Sequence, residues 1–153
     1  MIRIIDFDNS TTHKTAIKDL NYEWLQKYFK VEPGDAISLA DPQKEIIRKG
    51  GYIFFAERDK EIIGVACLLK ITSEEFELGK MAVTEKYQGL HAGNLLMDYC
   101  IRFAIEKQMK KLVLYSNKSL SPAIHLYKKY GFHEVEMEEG HYERANIKME
   151  RIL

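Results

Sequence analysis

The chain has 153 residues, enough for one domain and too few for two independent cores. Its 46% hydrophobic content belongs to a globular protein and excludes a disordered one. The 23 basic and 23 acidic residues cancel, so no net field draws in nucleic acid or an anionic membrane, and neither is expected as a partner.

Ile2 to Phe7 is a short apolar run that reads as a strand. The N-terminus turns acidic at Asp6 before an apolar signal region forms. No stretch approaches the roughly 20 apolar residues of a membrane helix, so the cytoplasm is the expected compartment. From Thr12 to Phe29, Ala16, Leu20, Trp24 and Tyr28 recur every fourth residue, which predicts a helix packing that row on a sheet. Pro33-Gly34 breaks it, and Ala36 to Lys49 offers one or two short helices around Pro42, stopped by Gly50-Gly51. Tyr52 to Ala56 is an apolar strand. The charged run Glu57 to Glu61 turns the chain into a longer strand, Ile62 to Ile71. Thr72 to Glu75 turns it again into Phe76 to Val83, completing an antiparallel meander.

Gly93 to Lys107 predicts a helix with Asp98, Arg102 and Glu106 toward solvent and Leu96, Cys100 and Phe103 inward. Leu112 to Tyr115 reads as a buried strand. Ser121-Pro122 supplies an N-cap and a first-turn proline for a further helix that Gly131 ends. Phe132 to Ile152 holds two strand-like runs around Glu138-Glu139-Gly140. The order β-α-α-β-β-β-α-β-α-β-β describes one α/β domain over residues 1–153. It predicts a mixed, mostly antiparallel sheet of about six to seven strands with about four helices. Cys67 and Cys100 lie in apolar runs and read as buried, reduced thiols.

The chemistry gathers between Glu77 and Phe132. A strand ending at Val83 runs through Gln88-Gly89-Leu90-His91-Ala92-Gly93-Asn94 straight into a helix. The first N–H groups of a helix lack intrahelical partners, and the macrodipole adds positive charge there, so the turn is suited to a phosphate or pyrophosphate. By itself, two glycines before a helix are as well read as a plain turn.

Three further stretches narrow the reading. Gln88 to Gly93 resembles the Q/R-x-x-G-x-G/A signature of the GCN5-related N-acetyltransferases (GNAT). Asn117, with Tyr127 to Phe132, is similar to that family's N-x(n)-Y-x-x-x-G-F segment. Glu77 to Val83 looks like its pantetheine-pairing strand. The departure is His91, which stands where the signature has its first glycine. Its N–H can still donate, while its imidazole either points to solvent or borders the pyrophosphate.

The resemblance implies direct acetyl transfer from acetyl-CoA, a cosubstrate, to the primary amine of an unidentified small molecule or peptide, with no metal. In such a fold the fourth and fifth strands part, and pantetheine lies between them. That would assign Met81, Ala82 and Val83 to the arm, and Gln88, Gly89, Leu90, His91, Ala92, Gly93 and Asn94 to the pyrophosphate. Asn117 would bind the cofactor or cap its own loop. Tyr127 would be the general acid toward the departing thiolate, or else pack on the sheet. Glu77 would be the general base, or else a solvated residue near a strand start. Trp24, Tyr28, Phe29, His141 and Tyr142 are candidates for the acceptor side, with Trp24 and Tyr28 better read as core. The resemblance leaves a homodimer open. The alternative function is a coenzyme A-binding module or sensor without transferase activity.

Overall fold

The computed structural model describes residues 1–139 and 141–153. Its strands are β1 (Ile2–Asp6), β2 (Tyr52–Arg58), β3 (Glu61–Lys70), β4 (Glu75–Val83), β5 (Lys111–Ser116), β6 (His133–Val135) and β7 (Ile147–Ile152). They form one seven-stranded sheet in the order β1-β2-β3-β4-β5-β7-β6. Every neighbouring pair is antiparallel except β4 and β5. The helices are α1 (Thr11–Tyr28), α2 (Pro33–Ala40), α3 (Ala92–Glu106) and α4 (Ser121–Lys129). A π-helical turn at Gln43–Ile47 and a 3-10 turn at Glu85–Tyr87 complete the regular structure. The mixed α/β architecture expected from the sequence is present.

Both faces of the sheet are covered, which is why β2 reads as a continuous apolar run rather than an alternating one. Ile53 and Phe55 pack with Ile17, Leu20, Leu39 and Ile46 from α1, α2 and the π turn. Phe54 and Ala56 face the other way, against Leu96, Met97 and Cys100 of α3. Tyr127 and Tyr130, at the end of α4, pack against this second layer.

Several boundaries differ from expectation for local reasons. The buried face of α1 is His13, Ile17, Leu20, Asn21 and Leu25. A strict every-fourth-residue row advances about 40° per step around a helix, so the row from Ala16 to Tyr28 drifts off the core. Trp24 is accordingly half-buried and Tyr28 exposed. The second helix starts at Pro33, because proline suits the first helical position and Asp35 Oδ2 accepts the Glu32 N–H at 3.0 Å. The β2–β3 turn shrinks to Asp59-Lys60, with φ of 49° and 67° at the two residues. Ser121 is the first helical residue of α4 and not its cap. Leu120 occupies that place, already turned by its N–H bond to the Asn117 carbonyl.

Two irregularities open the sheet at its centre. β4 and β5 pair only from Glu75 opposite Lys111 to Glu77 opposite Val113, and beyond that the strands part. On the other edge of β4, Val65 faces Ala82 but Cys67 faces Gly79, so one extra residue bulges out. Lys80 sits in this bulge with a left-handed φ of 52°.

Candidate active site

The parting of β4 and β5 opens a cavity of about 440 Å³. Its floor is β4 from Glu77 to Val83 with Tyr115 and Ser116 of β5. Asn21, Trp24, Tyr28 and Phe29 form one wall, residues from Asn117 to Tyr127 the other, and Tyr142 and Arg144 close the end. Gln88 lies at the side leading to α3.

The β4 bulge is held from two sides. Asn21 Nδ2 donates to the Lys80 carbonyl at 3.2 Å and to the Ile17 carbonyl at 3.0 Å. Lys80 Nζ reaches Asp35 Oδ1 at 3.0 Å, and Asp35 is fully buried. Arg144 grips the same carboxylate with two nitrogens, at 2.7 and 3.0 Å, and Glu32 at 2.9 Å. Burial opposes ionisation of Asp35, but Arg144 and Lys80 outweigh it and hold the carboxyl below its ordinary range. Two buried polar atoms of the α1 wall, Asn21 Oδ1 and Trp24 Nε1, have no hydrogen-bond partner among the described residues.

Glu77 is buried, not solvated as its position near a strand start would suggest. Residues 141 and 142 fold across its side chain, and Tyr142 Oη donates to Oε2 at 2.9 Å. His141 Nε2 stands 3.0 Å from Oε1. The His141 ring is itself partly open to solvent and stacks on Tyr115, with centroids 3.9 Å apart. Burial and the neighbouring Glu77 charge push the Tyr142 phenol well above its usual pKa. Tyr115 shifts the same way, through burial and its bond to Glu138. Glu138, which receives that bond and one from Lys148 at 3.0 Å, is pulled down to about 2.

Tyr127 lines the cavity from α4, facing the β4 floor. Burial raises its pKa, partly opposed by the neighbouring Ser116 side chain. The Asn117 amide is engaged at both ends, donating to the Arg144 carbonyl at 2.7 Å and accepting the Ser119 N–H at 2.9 Å. It therefore braces its own loop, and also borders the cavity.

Gly89 to Asn94 continue past the lining. Gly89 has φ 89° and His91 φ 62°, so both residues occupy the left-handed region that favours glycine. His91 is exposed and caps α3 with no side-chain bond to the helix backbone, its Nδ1 lying 3.2 Å from Asn94 Nδ2. The α3 ladder begins with the Leu95 N–H on the His91 carbonyl, leaving the amides of Ala92, Gly93 and Asn94 ahead of the first intrahelical bond. Ala92 is buried, so only its backbone is available to a ligand.

The cavity thus gathers Glu77, Met81, Ala82, Val83, Gln88, Asn117 and Tyr127, and leaves Gly89 to Asn94 on the adjoining loop. Cys67 and Cys100 are fully buried, and burial pushes the Cys67 thiol up to about 12. Neither cysteine lines the cavity. The sequence reading missed the Asp35–Lys80–Arg144–Glu32 network. Its faint signals were Glu32 and Asp35 at capping-box spacing around Pro33, and a lysine inside an apolar strand.

No helix among the described residues is long and apolar enough to cross a membrane. A family model described as "Acetyltransferase (GNAT) family" matches residues 17–132. No curated protein is similar enough in sequence to count as a relative. Among solved structures, a GNAT-family acetyltransferase from Staphylococcus aureus superposes with a TM-score of 0.88 at 20% identity, covering 99% of both chains. An acetyltransferase from Streptococcus agalactiae gives 0.86 at 19% identity, covering 99% of this chain and 98% of its own. A GNAT-family acetyltransferase from Elizabethkingia anophelis, solved with acetyl-CoA bound, is 27% identical with a TM-score of 0.66 over 99% and 98% of the two chains. By the family match across most of its length, the chain belongs to the GNAT acetyltransferase family.

Proposed function

We propose that the protein is an N-acetyltransferase that moves an acetyl group from acetyl-CoA to a primary amine, with Glu77 as general base and Tyr127 as general acid. The observation that carries this reading is the parting of β4 and β5, which sets a buried carboxylate and a half-buried phenol in one cavity.

Past Glu77, β4 has lost its pairing on the β5 side. The backbone of Met81, Ala82 and Val83 would hold the pantetheine arm there, as an unpaired strand edge holds an extended chain. The free amides of Ala92, Gly93 and Asn94, reached through Gln88, would receive the pyrophosphate. Acetyl-CoA supplies the activated acyl group.

An alkylamine with a pKa near 10 reaches the cavity as an ammonium and must lose a proton before its nitrogen can react. Glu77 takes that proton, directly or through one water. Tyr142 and His141 fix the carboxylate by one bond to each oxygen. His141, partly exposed, connects Glu77 to solvent, where the proton leaves. In the net reaction the N–C amide bond forms and the C–S bond breaks; Tyr127 gives its proton to the departing sulfur, and the second proton shed by the acylated nitrogen restores the phenol. Burial raises the Tyr127 pKa, so the phenol holds its proton at neutral pH until the thiolate leaves.

Calorimetric titration with acetyl-CoA, beside adenosine alone, tests the binding part. Coenzyme A thiol release across an amine panel tests transfer. Saturable binding that adenosine fails to reproduce, followed by amine-dependent release, is the expected result. A folded protein that does not bind acetyl-CoA would end the proposal.

A further inference from the structure

We infer that the acceptor is an arylalkyl monoamine: a cationic amine on an aromatic side arm, with no acid group beside its nitrogen. The inference rests on the transferase reading above and adds the class of substrate.

Electrostatics sets the first limit on the acceptor. The cations among the described lining residues are Lys80 and Arg144. Lys80 is spent on Asp35, and Arg144 on Asp35 and Glu32. Two cations meet two carboxylates and the group is neutral. The Arg144 guanidinium also lies over two aromatic rings, 4.7 Å from the centroid of Tyr142 and 5.8 Å from that of Trp24. No cation is left to meet an acceptor's carboxylate, and an unpaired buried charge is costly. The α-carboxylate of an amino acid stands one carbon from the reacting nitrogen, so it would enter beside Glu77 and be repelled.

The same count limits the positive charge that the acceptor can carry. Among the described lining residues Glu77 is the one carboxylate, its partners being a phenol and an imidazole rather than a lysine or arginine. It can meet one ammonium. Asn21 Oδ1, on the α1 wall, is a further buried acceptor with no partner among the described residues: its Nδ2 is fixed on two backbone carbonyls, so an amide flip cannot satisfy the oxygen. A polyamine would bring a second ammonium for which the cavity holds no free carboxylate.

The shape of the cavity favours a ring. The cavity that holds Glu77 is also lined by Trp24, Tyr28, Phe29 and Tyr142, with Trp24 and Phe29 edge to face at 6.0 Å. Tyr28 is exposed and Trp24 is half-buried against the α1 side of the core, and both rings line the cavity. Aromatic walls of this kind take an aromatic ring in edge or offset contact.

The test compares matched acceptors on the intact protein. Phenethylamine and phenylalanine differ only in the carboxylate, spermidine adds charge, and a short peptide with a free N-terminus adds backbone. Thiol release is followed for each, while acetyl-CoA binding is measured separately by calorimetry. The expected kcat/KM for phenethylamine exceeds each of the others by at least about tenfold. Trp24→Leu removes most of that advantage while acetyl-CoA still binds as in the wild type. Phenylalanine, spermidine or the peptide matching phenethylamine would overturn the acceptor class and leave the transferase reading standing. So would acetyl-CoA binding with turnover of none of the four. Failure to bind acetyl-CoA would instead overturn the transferase reading itself.

Discussion

Glu77→Gln is the sharpest test of the proposed chemistry, because the change is nearly isosteric and its surroundings can accept it. The glutamine oxygen still receives the Tyr142 phenol, now 2.9 Å from Oε2. Its amide nitrogen can donate to His141 Nε2, 3.0 Å away, if the imidazole takes the other tautomer. Both contacts survive, so the stability cost is about 1 kcal/mol, the difference between a charged and a neutral hydrogen bond. Loss of a general base costs about a hundredfold to ten-thousandfold in rate. The variant should also change its pH profile. With no internal base, kcat/KM follows the fraction of free amine in solution and climbs about tenfold per pH unit toward the amine pKa near 10. Wild type should level off well below that pH. The assay is initial-rate thiol release from pH 6 to 10, with acetyl-CoA affinity measured by calorimetry as the control. A variant within about threefold of wild type at neutral pH, or with a parallel profile, would refute the role of Glu77 as base.

Tyr127→Phe should lower kcat by about a hundredfold and leave acetyl-CoA affinity unchanged, read from saturation kinetics and calorimetry; intact turnover would remove Tyr127 from the mechanism. Asp35→Asn leaves Lys80 and Arg144 short of a buried carboxylate and should cost about 3–5 kcal/mol in urea unfolding at neutral pH. Burial works against the Asp35 carboxylate, yet Arg144 and Lys80 hold its folded pKa below the ordinary 3.8, so its stabilising contribution is full above that value and drains away as pH falls below it. The Asn variant should therefore lose less stability than wild type between neutral pH and pH 3, and equal acid sensitivity would count against the network. His91→Gly relieves a left-handed backbone at φ 62° and should raise stability by about 0.5–1 kcal/mol, after the extra unfolded-state entropy of glycine is subtracted. His91→Val should lower it, and both are read as melting-temperature shifts.

The sheet was legible because its pattern is physical: β2 is apolar throughout since α1 and α3 cover opposite faces, and β3 and β4 follow from turns that break that pattern. The glycine-bearing loop before α3 was legible for the same reason, as a strand running directly into a helix. The environment of Glu77 was not. A strand-start glutamate is solvated in most sheets, and burial here depends on residues 141 and 142, more than sixty positions away, folding back across β4. Tyr28 misled for a simpler reason, since a row of every fourth residue cannot stay on one face of α1 over three turns, whereas Trp24 still packs half-buried against the core. His91 shows the reverse case: the departure from the family's glycine was visible, and the positive φ at that residue gives the physical reason why glycine is usual there.

Lys80 links the two halves of the proposed site. A non-glycine residue at φ 52° costs on the order of 1–2 kcal/mol, so the bulge needs a restraint, and the Asp35 ion pair together with Asn21 on the Lys80 carbonyl supplies one. The kink interrupts the β3–β4 ladder beside Met81 to Val83, the stretch proposed to carry pantetheine. The same ammonium, spent on Asp35, is then unavailable to an acceptor carboxylate. Backbone geometry on the donor side and charge selection on the acceptor side are consequences of one ion pair. A substitution at Lys80 should therefore disturb both at once, whereas one at Trp24 should disturb acceptor choice alone.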